Sequence, residues 1–261
     1  MTEPRTRPAL AYKNEPFLAG PDARTLRILS EYLEPLSHLR KQRIRDTVVF
    51  FGSARIREDS PLGRYYTEAR TLAAMVTTWA KTFRERTYRY VVCSGGGPGI
   101  MEAANRGASD ARGKSIGLNI GLPFEQFPNP YISRELSFEF HYFFMRKFWF
   151  AYMAKALVVF PGGFGTMDEM FEILTLVQTK KLAKKITIVL YGSEYWKEVI
   201  NFDALVKYGT ISAADLNLFQ FADTPDAAMQ ILQRALTERP QAQPEAEVPA
   251  ISATTCPDGQ P

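Results

Sequence analysis

The sequence predicts an α/β fold, a doubly wound and mostly parallel sheet with helices on both faces. Three observations carry that prediction. Short, near-continuous apolar runs alternate with helical segments along the chain, the pattern of buried parallel strands and their crossover helices. Two of those runs end in glycine turns that open directly into helices. Hydrophobic residues make up 46% of 261 positions, enough for one large core.

Taken in order, residues 1–45 read as an N-terminal arm and a leading helix. Residues 1–20 are rich in proline and charge and read as a loose arm. Asp22 is placed to cap a helix running to about Arg43, with Leu26, Leu29, Leu33, Leu36 and Leu39 as its apolar stripe. The core domain spans 46–238. Its first strand is 47–51, ending in the Gly52-Ser53 turn. A helix follows over 61–83, marked by Tyr65, Ala69, Leu72, Ala73, Val76 and Ala80. Strand 90–93, helix 99–112 and strand 115–120 come next. Beyond a proline-rich loop (123–131) the pattern gives a short strand at 135–140, a helix over 142–154 and a strand at 156–160. A helix over 166–179 and a strand at 185–191 continue it. Helices over 194–207 and 225–237 close the domain, with an edge strand at 219–221. Right-handed crossovers then make the sheet Rossmann-like. The proline-rich stretch 239–261 has few large apolar side chains and reads as disordered.

Composition narrows the functional classes. The net charge of +4 is modest. The basic clusters at Arg40–Arg45 and Lys180–Lys185 are dispersed and read as solvated helix ends, so no nucleic-acid partner is expected. The two cysteines, Cys93 in an apolar strand and Cys256 in the tail, form no disulfide framework or zinc spacing, which fits a reducing cytoplasm. The polar N-terminus carries no secretory pattern. The aromatic stretch 138–160 is interrupted by His141, Arg146, Lys147 and Lys155, so it reads as a buried helix and strand rather than a membrane span.

The chemistry concentrates in three segments. Leu157–Glu169 is an apolar strand, a glycine turn (Gly162, Gly163, Gly165) and a helix start with carboxylates. Such a turn offers unpaired backbone N–H groups and the positive end of a helix dipole to an anion. Thr166-x-x-Glu169 also fits a capping box, in which Glu169 only bonds back to the backbone. Ser94-Gly95-Gly96-Gly97-Pro98-Gly99 is a second cradle, neither a Walker A loop nor a dinucleotide fingerprint, and it equally suits a tight strand–helix turn. Arg146-Lys147 lies among Phe143, Phe144, Phe148, Trp149 and Phe150. Burying those cations needs an anionic partner, unless they snorkel to solvent.

These residues resemble the LONELY GUY (LOG) family, often mislabelled as lysine decarboxylases. Pro161–Glu169 matches P-G-G-x-G-T-x-x-E. Met145-Arg146-Lys147 falls on the family's Arg-Lys pair, with Phe143-Phe144 in place of its Met-His, which makes the local pocket more apolar. Phe50–Ser53 with Ser94–Ala104 matches the early strand-turn and the G-G-G-x-x-G-x-M segment. The resemblance covers roughly residues 46–236 and suggests a longer bacterial branch. It implies a nucleoside 5′-monophosphate phosphoribohydrolase acting on AMP or a cytokinin riboside 5′-monophosphate, without metal or cofactor, as a homodimer or larger homo-oligomer. Arg146 and Glu169 are then the catalytic pair. Ser53, Gly95, Gly96, Gly97, Gly99, Met101, Lys147, Gly162, Gly163, Gly165 and Thr166 would bind substrate. Glu125, Asn129 and Thr175 are further candidates for ribose or base contacts. A nucleotide-binding or molybdenum-cofactor carrier of the same fold is the alternative. A decarboxylase would need pyridoxal phosphate on a Schiff-base lysine.

Overall fold

The computed structural model describes residues 8–83, 86–121, 127–182 and 184–237. Seven strands form a single parallel sheet: β1 Thr47–Phe51, β2 Val91–Ser94, β3 Ser115–Ile120, β4 Ser137–Phe140, β5 Ala154–Val159, β6 Thr187–Tyr191 and β7 Phe219–Ala222. Their spatial order is β4-β3-β2-β1-β5-β6-β7. The chain therefore builds outward from β1 and then reverses, so the order switches between β1 and β5. In open parallel sheets the crevice beyond the carboxyl ends of such a switch is the ligand site.

Side-chain alternation along β1 divides the core in two. Val49 and Phe51 face one apolar cluster with Trp149, Leu157 and Met170. Val48 and Phe50 face the other with Leu72, Val76, Ile100 and Leu232. Each such fully buried side chain contributes about 1.5–3 kcal/mol. The helices of the described residues are α1 Glu15–Ala19, α2 Arg24–Lys41, α3 Gly63–Ala80, α4 Ile100–Asp110, α5 Phe143–Met153, α6 Phe164–Gln178, α7 Ser193–Val199, α8 Phe202–Lys207 and α9 Pro225–Thr237, and all but α1 contribute side chains to these two faces.

Four sequence expectations are corrected. Residues 15–19 of the arm form one helical turn, capped where Asn14 Oδ1 accepts from the Phe17 N–H. Asp22 does not cap α2; it lies in a 3-10 turn that leads into it. Leu26, Leu29 and Leu33 are 46–50% exposed, while Tyr32 stacks on Trp149 and Leu39 is buried. The aromatic face of α5, rather than the leucine count, selects which side of α2 packs. The helix expected over 194–207 breaks at extended Ile200, and Asn201 caps α8 by accepting from the Ala204 N–H. The proline-rich tail and Glu125 lie outside the described residues. Among those residues no helix is long and apolar enough to cross a membrane.

Candidate active site

Both glycine turns lie at the carboxyl end of the sheet, and Ser53 joins them. Its N–H donates to the Pro161 carbonyl at 3.0 Å, and its own carbonyl accepts from the Ile100 N–H, at the start of α4, at 3.1 Å. The ends of β1, β2 and β5 are thus tied through one residue. Gly99 makes the approach possible. It has φ 69 and ψ −132, a conformation L side chains avoid, and a Cβ there would overlap the Ser53 carbonyl oxygen. We expect Gly99→Ala to lower the unfolding free energy by more than about 2 kcal/mol, measured by urea denaturation.

The turn after β2 is braced from behind. Gly96, at φ 76, leaves no room for a Cβ beside Asn119. Its carbonyl and that of Gly97 accept from Asn129 Nδ2 at 3.0 and 3.1 Å. Asn129 is 7% exposed, and its Oδ1 accepts from the Tyr131 N–H. The amide expected at the ribose or base is therefore engaged in holding this turn. Met101 lies against Gly95, where a Cβ would press on its sulfur and come within 3.9 Å of Arg146 Nη1.

The turn after β5 resolves the capping-box ambiguity. Helix α6 begins at Phe164 with Gly163 as its cap, so Thr166 sits inside the first turn. No capping box forms. Thr166 is 7% exposed and packs over Gly162, where any side chain would collide with it. Tyr195, which nothing in the sequence pattern singled out, donates its hydroxyl to the Gly162 carbonyl at 2.9 Å. Gly163 and Gly165 have open space where a Cβ would stand. The first-turn N–H groups of α6 consequently face an uncrowded surface, as an anion site requires.

Freed from capping, Glu169 pairs with Arg146. Nη2 of Arg146 donates to Oε1 of Glu169 at 2.6 Å, and the two side chains are 12% and 13% exposed. The Arg146 guanidinium also lies over the rings of Phe143 and Phe150. Its Nε is buried with no partner among the described residues, a donor still open. Burial pushes the Glu169 carboxyl up to about 7; Arg146 opposes this, and neighbouring Asp168 adds to it. Nearby, Lys147 Nζ bridges Asp168 Oδ2 at 2.7 Å and Glu172 Oε2 at 3.0 Å. Burial pulls the Lys147 ammonium down, but hydrogen bonds to those two carboxylates hold it above its ordinary value. Cys93 lies buried below, its thiol raised first by burial and then by the Glu169 charge. Thr175 is exposed and donates its hydroxyl to the Phe171 carbonyl, about 9 Å along α6 from Glu169. It does not join the cluster.

The helix carrying Arg146 is anchored by the leading helix, a connection the sequence reading missed. Glu31 on α2 accepts from the His141 and Tyr142 N–H groups at the entry to α5, at 2.8 and 3.2 Å. A carboxylate at that helix end is favoured by both hydrogen bonding and the dipole. Only its distance in sequence hid it. No group of metal-ligating side chains occurs among the described residues.

The fold is that of a Rossmann-like α/β protein, with the charged Arg146–Glu169 centre as its candidate site. The family described as "Possible lysine decarboxylase" matches residues 101–232, and the chain belongs to this family, the LOG family. It is similar to the "Probable cytokinin riboside 5'-monophosphate phosphoribohydrolase LOG4" of Oryza sativa subsp. japonica, at 32% identity over 90 residues. That match covers 34% of this chain and 39% of the rice protein, so the chain spans well under half of that relative's length. Among solved structures, the X-ray structure of TM1055 superposes with a TM-score of 0.52 at 22% identity, covering 72% of this chain and 99% of that one. It shares the fold. The Moco carrier protein of Chlamydomonas reinhardtii aligns with a TM-score of 0.49 at 20% identity, over 75% of this chain and all of that one. Likeness of that degree carries no functional argument.

Proposed function

We propose that the protein is a nucleoside 5′-monophosphate phosphoribohydrolase, hydrolysing the N-glycosidic bond of AMP or a cytokinin riboside 5′-monophosphate to free base and ribose 5-phosphate. The observation that carries this reading is the buried Arg146–Glu169 pair beside two tied glycine turns. A carrier would need the turns to hold phosphate but has no use for a buried carboxylate near 7. The activity in the rice relative's name points the same way.

In this scheme the 5′-phosphate rests on the N–H groups at the start of α6, with the Thr166 hydroxyl beside it. The C1′–N bond breaks with its electron pair leaving on the base, through an oxocarbenium-like state. Glu169 stabilises that charge and takes a proton from the water that adds at C1′, and a proton passes on, through solvent, to the base nitrogen that received the electron pair. Arg146 is not a general acid near neutral pH; it holds Glu169 and offers its spare Nε–H. Lys147 positions Asp168 and Glu172 around the helix end.

The decarboxylase implied by the family description does not fit. A Schiff-base lysine must be available as a neutral amine. The lysine at this site, Lys147, is held charged between two carboxylates.

The test is incubation with a panel of nucleoside monophosphates, reading free base and ribose 5-phosphate by chromatography. Release from AMP or an N6-modified analogue supports the proposal; no release from any member replaces it with the carrier reading. The pH dependence adds a second check. With the Glu169 carboxyl of the free protein at about 7 and its ionised form required, kcat/KM falls about tenfold per unit below pH 7 and levels off above it. The substrate phosphate, which itself titrates near 6, steepens the fall only below that pH.

We further propose a homo-oligomer in the cytoplasm. Leu26, Leu29 and Leu33 on α2 and Phe144, Phe148 and Tyr152 on α5 are exposed, and the two helices meet where Tyr32 packs on Phe148. Exposed apolar side chains on two packed helices suit a second copy. Light scattering after gel filtration should give more than the 29.5 kDa of one chain.

A further inference from the structure

The sheet end opposite the glycine turns holds a cavity of about 600 Å³. The N-terminal end of β2, the C-terminal end of α3 and the turns after α2 and α4 enclose it. Six cations line it: Arg43, Lys81, Arg86, Arg89, Arg112 and Lys114. No carboxylate is among its described lining residues.

Three of the six are engaged locally. Arg89 pairs at 3.0 Å with Asp46, which is buried. Lys81 donates to the carbonyls of Ala111 and Arg112 at the end of α4, where a cation is ordinary. Lys114 donates to Gln42 Oε1 at 2.8 Å and lies over the Tyr88 ring. The guanidinium groups of Arg43, Arg86 and Arg112 make no hydrogen bond or ion pair among the described residues.

Solvated arginines at helix ends would be unremarked but for the backbone. Arg43 (φ 57) and Arg112 (φ 53) each stand one residue past a helix C-cap, Gln42 and Ala111, in the left-handed conformation. Glycine is the usual residue there, because a Cβ is strained. Tyr90 (φ 53) lines the same cavity. Of the four non-glycine residues with positive φ among the described residues, three surround this one cavity. Strain concentrated in this way marks positions held for their side chains.

We propose that this cavity binds a small phosphate-rich anion, a chain of two or three linked phosphates that is free or carried on a nucleoside. Guanidinium forks match phosphate oxygens bidentately. Three guanidinium charges with no carboxylate partner among the described residues exceed what one phosphate group would neutralise. The site lies at the far end of β2 from the glycine turns, and the inference does not depend on the hydrolase reading.

The test is calorimetric titration of the full chain with inorganic tripolyphosphate, in the wild type and in Arg43→Gly/Arg86→Ala/Arg112→Gly. Both glycine substitutions relieve left-handed strain, so the variant should melt no lower than the wild type, which separates binding from folding. Saturable binding by the wild type, weakened at least about tenfold in the variant, is expected. Unchanged affinity in the variant, or no wild-type binding at about 1 mM, overturns the proposal. A parallel titration with a nucleoside triphosphate distinguishes the sources. Equal variant-sensitive affinity assigns the phosphate chain alone, and tighter variant-sensitive binding assigns a nucleotide.

Discussion

Glu169→Gln is expected to lower base release from AMP by at least about a thousandfold while leaving AMP affinity within about threefold. Glutamine fills the same volume and keeps an oxygen for Arg146 Nη2, now 2.6 Å from the carboxylate. The phosphate contacts proposed at the start of α6 come from backbone N–H groups and Thr166, which the substitution does not touch. What it removes is the negative charge that faces the oxocarbenium-like state and the basicity that takes the proton from water. Chromatography of released base and calorimetry with AMP separate the two effects. Wild-type turnover by the variant would show that the carboxylate is structural.

Arg146→Ala should cost as much in rate for a different reason. Without the guanidinium, Glu169 stays buried with no cation of its own, and an unpaired buried charge is costly enough to stay protonated. Burial already raises this carboxyl to about 7 against the pull of Arg146. Deleting Arg146 therefore raises it further, and the rising limb of kcat/KM against pH moves to higher pH. At pH 7 we expect a loss of at least about a thousandfold, recovering in part as pH increases. Arg146→Lys restores a charge but not the planar fork, so it should return the limb toward its original position with only part of the rate. A merely structural Arg146 would lower the rate without moving the limb.

Much of this site was legible in the sequence, because an apolar strand running into glycines and then into a helix is a local signal. Both turns follow from it, at 94–99 and 161–165. The roles within the turns were less legible. Thr166-x-x-Glu169 has capping-box spacing, and the decision lay in where α6 starts. Contact between Thr166 and Gly162, together with the cap at Gly163, places the helix start two residues earlier than expected. Asn129 carries an amide that suits a ligand equally well, and only the fold reveals that it faces the carbonyls of Gly96 and Gly97. The leucines of α2 spell an apolar stripe, yet the partner surface on α5 is aromatic and takes Tyr32 instead. Glu31 and Tyr195 act on backbone groups far away in sequence, where pattern carries no information.

The hydrogen bonds through Ser53 have a thermodynamic consequence. With its N–H on Pro161 and its carbonyl on Ile100, the turns after β2 and β5 are fastened to the end of β1 before any substrate arrives. Loops that must organise around a ligand charge its affinity with their lost disorder. Here that entropy is already lost when the chain folds. Capture of a phosphorylated nucleoside at this end of the sheet should therefore show a small entropic penalty, leaving its favourable contacts to appear as affinity.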